Sequence, residues 1–313
     1  MRSMQSTLKK YFGYDQFRPL QEDVIRHILS GKDCLVLMPT GGGKSLCFQI
    51  PALMMEGTAV VVSPLISLMK DQVESLRANG IEAAALNSNA SEAENREIAE
   101  RAYRGEYKLL YVSPERLLAE METGVLHHSS GTNPTGPLKV SMFAIDEAHC
   151  ISQWGHDFRP EYTQLGRIKE FFPGVPVAAF TATADKITKE DIVQQLRLEK
   201  DKTGDPKIFV SSFDRPNLSL DVRRGYSAQD KLRFLLALIA RHRNESGIVY
   251  CMSRKTTETV AMKLQEEGVR AKAYHAGLSP RERDEVQEEF INDNIDVVLS
   301  LIHISEPTRR SYI

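Results

Sequence analysis

This sequence predicts an α/β protein made of two successive units, each built on a parallel sheet. Three observations carry that expectation. Short, apolar, β-rich runs alternate with longer helical stretches. One of those runs empties directly into a glycine-rich turn closed by a lysine and a serine, and a charged segment at 201–206 is followed by a second set of the same alternation. Strands that recur between helices pair in parallel and are covered on both faces, so each reads as a near-continuous apolar run.

In chain order, the first unit offers strands at Cys34–Leu37, Ala59–Ser63, Ala83–Leu86, Leu109–Ser113, Met142–Asp146 and Val177–Thr181. His127 to Pro137, with its Ser, Gly, Thr and Pro, reads as a surface loop. Asp201–Pro206, charged and holding one Gly and one Pro, reads as the linker, which places the first domain at 1–205. The second unit offers strands at Ile248–Cys251, Ala271–His275 and Asp296–Leu299, with helices over Asp230–Arg241 and Thr256–Glu267 from their apolar spacing. It occupies 206–299, and 300–313 matches neither pattern. No short-period repeat is present.

Composition narrows the class. The 313 residues are 42% hydrophobic and 26% charged, with a formal net charge of -2, so a polyanionic partner has to be met by a local basic stripe. No apolar run reaches a membrane span and the first fourteen residues lack the apolar core of a signal peptide, which gives an expectation of a cytoplasmic protein, nucleoid-associated if bacterial, with no membrane partner. Cys34, Cys47, Cys150 and Cys251 are far apart, without a Cys-x-x-Cys pair, and are expected to be buried free thiols.

The chemistry starts at Met38-Pro39-Thr40-Gly41-Gly42-Gly43-Lys44-Ser45. Glycines at 41, 42 and 43 let the backbone aim its N–H groups at phosphate oxygens, and a helix starting near Lys44 presents its positive end to them. Lys44 reaches for β- and γ-phosphates, Ser45 binds Mg2+, and Thr40 belongs to the same cradle. The strict pattern places Gly at 38, where this chain has Met, so the spacing is a relaxed form. The second piece is Asp146-Glu147-Ala148-His149, at the end of an apolar run. There Asp146 would hold Mg2+ through water while Glu147 orients and deprotonates the attacking water. Lys44, Asp146 and Glu147 are the candidate catalytic residues, Ser45 and Asp146 the candidate metal ligands.

These motifs, with those that follow, resemble the superfamily 2 helicases, and more narrowly the RecQ family of ATP-dependent DNA helicases, over about 8–299. The resemblance implies two RecA-like domains of the P-loop NTPase type, the second incomplete, with ATP and Mg2+ as cofactors. Phe12 to Gln21 resembles the family's motif 0, which implies that Tyr14, Arg18 and Gln21 contact adenine; an amide can pair with adenine's donor and acceptor, and a ring or guanidinium can stack on it. His149 to Pro160 resembles the aromatic-rich loop of RecQ helicases, implying that Trp154, His156, Phe158 and Arg159 touch single-stranded DNA and signal to the ATPase site. Ser63 to Gln72 and Tyr111 to Arg116 resemble motifs Ia and Ib, which contact the DNA backbone. Phe180-Thr181-Ala182-Thr183-Ala184 resembles motif III, a hydroxyl relay from the nucleotide site to the second domain. Tyr250 to Arg254 and Tyr274 to Leu278 resemble motif IV and the segment after it.

The family pattern stops at Leu299. Motifs V and VI would follow, but Ser300 to Ile313 matches no helicase motif, and Arg309 and Arg310 inherit no arginine-finger role. The expectation is a 3′-to-5′ DNA helicase motor, acting on single-stranded and tailed duplex DNA and impaired by truncation. The alternatives are an ATP- and DNA-binding fragment without turnover, and a superfamily 2 RNA helicase, which Asp-Glu-Ala-His permits and the Trp154 loop and motif 0 oppose.

Overall fold

The computed structural model describes residues 3–86, 90–122, 126, 138–152, 158–200, 204–212 and 218–301. Two compact units divide at Asp214/Arg215. The sequence placed the break at 205/206; it falls later because Ile208–Val210 forms one more strand beside Cys34–Leu37.

The first unit carries β1 (Cys34–Leu37), β2 (Thr58–Val62), β3 (Ala83–Leu86), β4 (Leu109–Val112), β5 (Val140–Ile145), β6 (Val177–Thr181) and β7 (Ile208–Val210). They pair in parallel in the order β3-β4-β2-β5-β6-β1-β7. The alternation of side chains along each strand explains why both faces are dry. Leu35, Leu37, Val60, Val62, Phe143 and Ile145 enter one apolar cluster, while Cys34, Val36, Ala59, Val61, Met142 and Ala144 enter the other. β7 escaped the sequence reading because only Phe209 of its three residues is buried, which is too little for a periodic signal.

Helices cover both faces, among them Met4–Phe12, Gln21–Leu29, Lys44–Met54, Ile66–Ala78 and Lys186–Gln195. Asp33, immediately before β1, is buried and ties the amino ends of the strands together. Its Oδ1 accepts from Lys169 Nζ at 2.7 Å and from Val177 N at 2.8 Å, and its Oδ2 accepts from Glu199 N at 2.8 Å. Lys200 and Pro206 form an isolated antiparallel bridge that brackets the expected linker. The expected surface loop at 127–137 lies outside the described residues.

The second unit has β8 (Gly247–Cys251), β9 (Ala271–Ala273) and β10 (Val297–Leu301), parallel in the order β8-β10-β9. Of its helices Ala228–Arg241, Arg254–Glu266 and Pro280–Ile291, the first two are capped by Ser227 and Ser253 and begin two residues ahead of the apolar periodicity, because serine hydroxyls accept from the amides of Asp230 and Thr256 and fix the first turn. β10 runs two residues past Leu299, and Ser300 is buried. The rest of the 300–313 segment, with Arg309 and Arg310, lies outside the described residues. All four cysteines are free and buried. Among the described residues no helix is long and apolar enough to cross a membrane.

Candidate active site

Three strand ends come together at the carboxyl edge of the first sheet. β6 lies between β1 and β5, with Leu37 in register with Thr181 and Ile145 with Ala179. The glycine loop leaving β1, the acidic pair leaving β5 and the hydroxyls leaving β6 are therefore neighbours, as parallel α/β sheets place their sites.

The loop has the backbone shape its glycines permit. Gly41 and Gly43 have φ of 77° and 84°, a region that L side chains rarely enter. A Cβ on Gly42 would stand 2.9 Å from the carbonyl oxygen of Pro39, and one on Gly43 would stand 2.3 Å from Gln21 Nε2. Gly43 caps the helix Lys44–Met54, so that helix's unpaired N–H groups open into the loop. Lys44 folds across it, donating Nζ to the Met38 carbonyl at 3.1 Å.

Gln21 is buried and holds the loop in place. Its Oε1 accepts from Arg18 N at 2.8 Å and its Nε2 donates to the Gly43 carbonyl at 3.0 Å. One N–H and one lone pair of that amide remain for a ligand. Arg18 donates Nη1 to the Gly41 carbonyl. Tyr14 is 56% exposed, a ring with an open face at the cavity mouth.

Tyr14, Arg18, Gln21, Gly41, Gly43 and Lys44 line one cavity of about 580 Å³, together with Thr40, Ser45, Asp146 and Glu147. That volume suits a small-molecule ligand. Asp146 sits at the end of β5, buried, with its amide donating to the Val62 carbonyl at 2.8 Å. Glu147 follows with φ 49° and its amide on Asp146 Oδ1 at 3.0 Å, a left-handed conformation for a non-glycine residue of the kind that clusters at functional sites. Behind the pair, buried Tyr162 donates its hydroxyl to the Asp146 carbonyl at 3.0 Å, and burial holds that phenol well above its usual range. His149 shares its Nδ1 with Thr181 Oγ1 at 2.9 Å and lies 3.3 Å from Glu147 Oε2. Thr181 Oγ1 also donates to the Thr183 carbonyl and accepts from the Thr183 amide. The Thr181 hydroxyl of the motif III resemblance thus reaches His149, within the first unit.

One face of the helix Ile66–Ala78 forms a further wall, through Leu68, Asp71, Gln72 and Ser75. Burial, reinforced by Glu74 and opposed by Lys70, pushes the Asp71 carboxyl above the usual range. Of the segments expected along a DNA backbone, Leu68, Asp71 and Gln72 line this cavity, and buried Tyr111 donates its hydroxyl to Gln72 Oε1 at 2.8 Å while Gln72 faces Ser45. Sequence reasoning missed Tyr111, Tyr162 and Gln72 as parts of the site, because their partners are 16 to 39 residues away and no local period marks such pairs.

Of the aromatic-rich segment, Trp154 and His156 lie outside the described residues. Phe158 and Arg159 are half-buried; Arg159 N donates to the Cys150 carbonyl at 2.9 Å, tying the end of that segment to the one-turn helix after Glu147.

The loop, the helix N-terminus and the lysine suit polyphosphate oxygens, and the Ser45 hydroxyl with the buried Asp146 carboxylate supplies hard oxygen donors of the kind magnesium takes. A cradle that a single Cβ would fill is shaped for a close-approaching anion.

Comparison with known proteins agrees with this geometry. Residues 18–192 match the DEAD/DEAH box helicase family and residues 230–306 match the helicase conserved C-terminal domain. The chain is 49% identical over 296 residues to the ATP-dependent DNA helicase RecQ of Pasteurella multocida, covering 94% of this chain and 44% of that one. It is 43% identical over 301 residues to the Bacillus subtilis protein of the same name, covering 95% and 48%. It therefore spans less than half the length of these curated relatives. Among solved structures, S. cerevisiae Dbp5 bound to RNA and ADP BeF3 aligns with a TM-score of 0.63 at 16% identity, covering 96% of this chain and 74% of that one. Mycobacterium smegmatis helicase Lhr bound to ssDNA and AMP-PNP aligns at 0.63 and 17%, covering 95% and 41%. At such identities the likeness is one of fold.

Proposed function

This chain belongs to the DEAD/DEAH box helicases, within their RecQ family, and from that premise we propose that it binds ATP with Mg2+ in the 580 Å³ cavity of its first unit and hydrolyses it in response to DNA. The observation that carries this reading is the convergence of the left-handed glycine loop, Lys44, Ser45 and the Asp146–Glu147 pair on one cavity.

Each group then has a task. Tyr14 stacks on the base, and the spare N–H and lone pair of Gln21 pair with the adenine edge while its other bonds brace the loop. Backbone N–H groups at 41–45 cradle phosphate oxygens, and Lys44 exchanges the Met38 carbonyl for the β- and γ-phosphates. Ser45, and Asp146 through water, would hold Mg2+, which would neutralise the charge that develops on the phosphate. Glu147 orients the attacking water and takes its proton. His149, bonded to Thr181 and close to Glu147, keeps that carboxylate in place.

DNA is the proposed polymer. The relatives are named as DNA helicases, and in the sequence the aromatic and basic residues of 153–159 follow the acidic pair within about a dozen positions. Single-stranded and 3′-tailed duplex DNA are the proposed substrates, with Trp154, His156, Phe158 and Arg159 as contacts and 3′-to-5′ movement as the direction. The domains are proposed as an ATP-binding RecA-like unit and a RecA-like C-terminal unit.

The test is ATP hydrolysis with and without single-stranded DNA, beside Lys44→Ala. Stimulation by DNA that disappears with Lys44→Ala supports the reading. Equal stimulation by structured RNA transfers the substrate class, and hydrolysis unaffected by Lys44→Ala refutes the site.

A further inference from the structure

Ser45 does not stand alone in the cavity. Gln72, on the helix Ile66–Ala78, donates Nε2 to Ser45 Oγ at 3.5 Å, the long end of a hydrogen bond. Its Oε1 accepts from the hydroxyl of Tyr111 at 2.8 Å, which turns its N–H groups toward Ser45. Tyr111 is 1% exposed, near the end of β4, and its hydroxyl also bonds Gln49 on the helix Lys44–Met54. Burial holds that phenol well above its usual range, so it stays a proton donor at any working pH. The order runs from the dry end outward, Tyr111 O–H to Gln72 Oε1, then Gln72 N–H to Ser45 Oγ.

We propose that Gln72, held by buried Tyr111, is a positioning residue that sets the Ser45 hydroxyl for its metal. The chain of bonds fills one acceptor position of Ser45 Oγ and leaves its remaining lone pair turned toward the cavity, where the cation is taken. A ligand hydroxyl free to rotate would meet the metal in several orientations; a donor locked behind it selects one, as outer-shell partners do for other ligand types. The inference rests on the reading of Ser45 as the metal ligand of an ATP site, and assigns part of that site's affinity for Mg2+ to two residues outside the glycine loop.

The experiment is equilibrium binding of a fluorescent ATP analogue to the full chain, titrated with Mg2+ and repeated in excess chelator, for wild type, Lys44→Ala, Gln72→Ala, Tyr111→Phe and Gln72→Ala/Tyr111→Phe. Gln72→Ala is expected to raise the Mg2+ concentration for half-saturation about tenfold, the lower end of what outer-shell partners are worth. Metal-free binding stays within about twofold, which a general loss of packing would not spare. Tyr111→Phe keeps the ring's shape and is expected to shift the Mg2+ titration in the same direction, with the double variant no worse than Gln72→Ala, because the tyrosine acts through the glutamine. Unchanged Mg2+ dependence in Gln72→Ala, beside binding that Lys44→Ala weakens, overturns this inference alone. Binding indifferent to Lys44→Ala overturns the ATP-site reading and this inference with it.

Discussion

Gln21 Nε2 donates to the carbonyl oxygen of Gly43 at 3.0 Å, so the amide expected to read a base also holds the phosphate loop in shape. The approach is close enough that only glycine fits at 43, where a Cβ would stand 2.3 Å from that nitrogen and φ is 84°. Gly43→Ala is therefore expected to weaken binding of a fluorescent ATP analogue about tenfold or more, since the left-handed backbone alone costs about 1–2 kcal/mol. Circular dichroism should show the fold intact. Unchanged affinity would mean that the loop adapts and the contact does not set its shape.

Thr181 Oγ1 serves His149, the Thr183 carbonyl and the Thr183 amide at once. Thr181→Val keeps the volume and removes the oxygen. The expected outcome is a loss of about 1–3 kcal/mol in urea unfolding, from polar groups deprived of that partner. Turnover should fall about tenfold with nucleotide affinity within about twofold, equivalent to about 1.4 kcal/mol in the barrier. A parallel loss of affinity would place Thr181 in binding rather than in the chemistry.

Asp33 works at the opposite end of β1 from the glycine loop. Its carboxylate is buried against Lys169 Nζ and two backbone amides from separate segments. Asp33→Ala leaves the ammonium and both amides without that acceptor and is expected to cost about 3–5 kcal/mol of stability, as for a broken buried ion pair. Chemical denaturation reads that loss. Under conditions where the variant is still folded, nucleotide affinity should match wild type, because the damage lies a strand length from the site.

Cys47 is fully buried in the helix that carries Lys44, and burial pushes its thiol from the ordinary 9.0 up to about 12 despite the pull of Lys44. Between those values the folded chain keeps a proton that the unfolded chain has released, so the folded state binds more protons there and stability falls as pH rises. Its contribution is whole below pH 9 and is lost through the window up to about 12. Urea midpoints from pH 8 to 11 should decline less steeply for Cys47→Ala than for wild type. Identical slopes would show that the thiol ionises in place.

Much of the fold could be read from the sequence because its signals are local. Six strands of the first sheet are runs buried on both faces, and such runs have nowhere to go but a covered parallel sheet. The loop at 41–45 was equally legible, since tight turning demands glycine and phosphate demands a cation. β7 was not, because an edge strand with one buried residue differs little from coil.

What the sequence by itself determined is the inventory: which segments are strands, which loop can cradle a polyanion, and which carboxylates follow a buried strand. What only the tertiary structure decided is adjacency. The order β5-β6-β1 put the acidic pair, Thr181 and the glycine loop side by side. The same packing brought Gln72 to Ser45, Tyr162 to Asp146 and Gln21 to Gly43. The reason is that a hydrogen bond acts over about 3 Å, whereas strand order is fixed by burial of two whole sheet faces at once. No stretch of sequence short enough to show a period contains both partners.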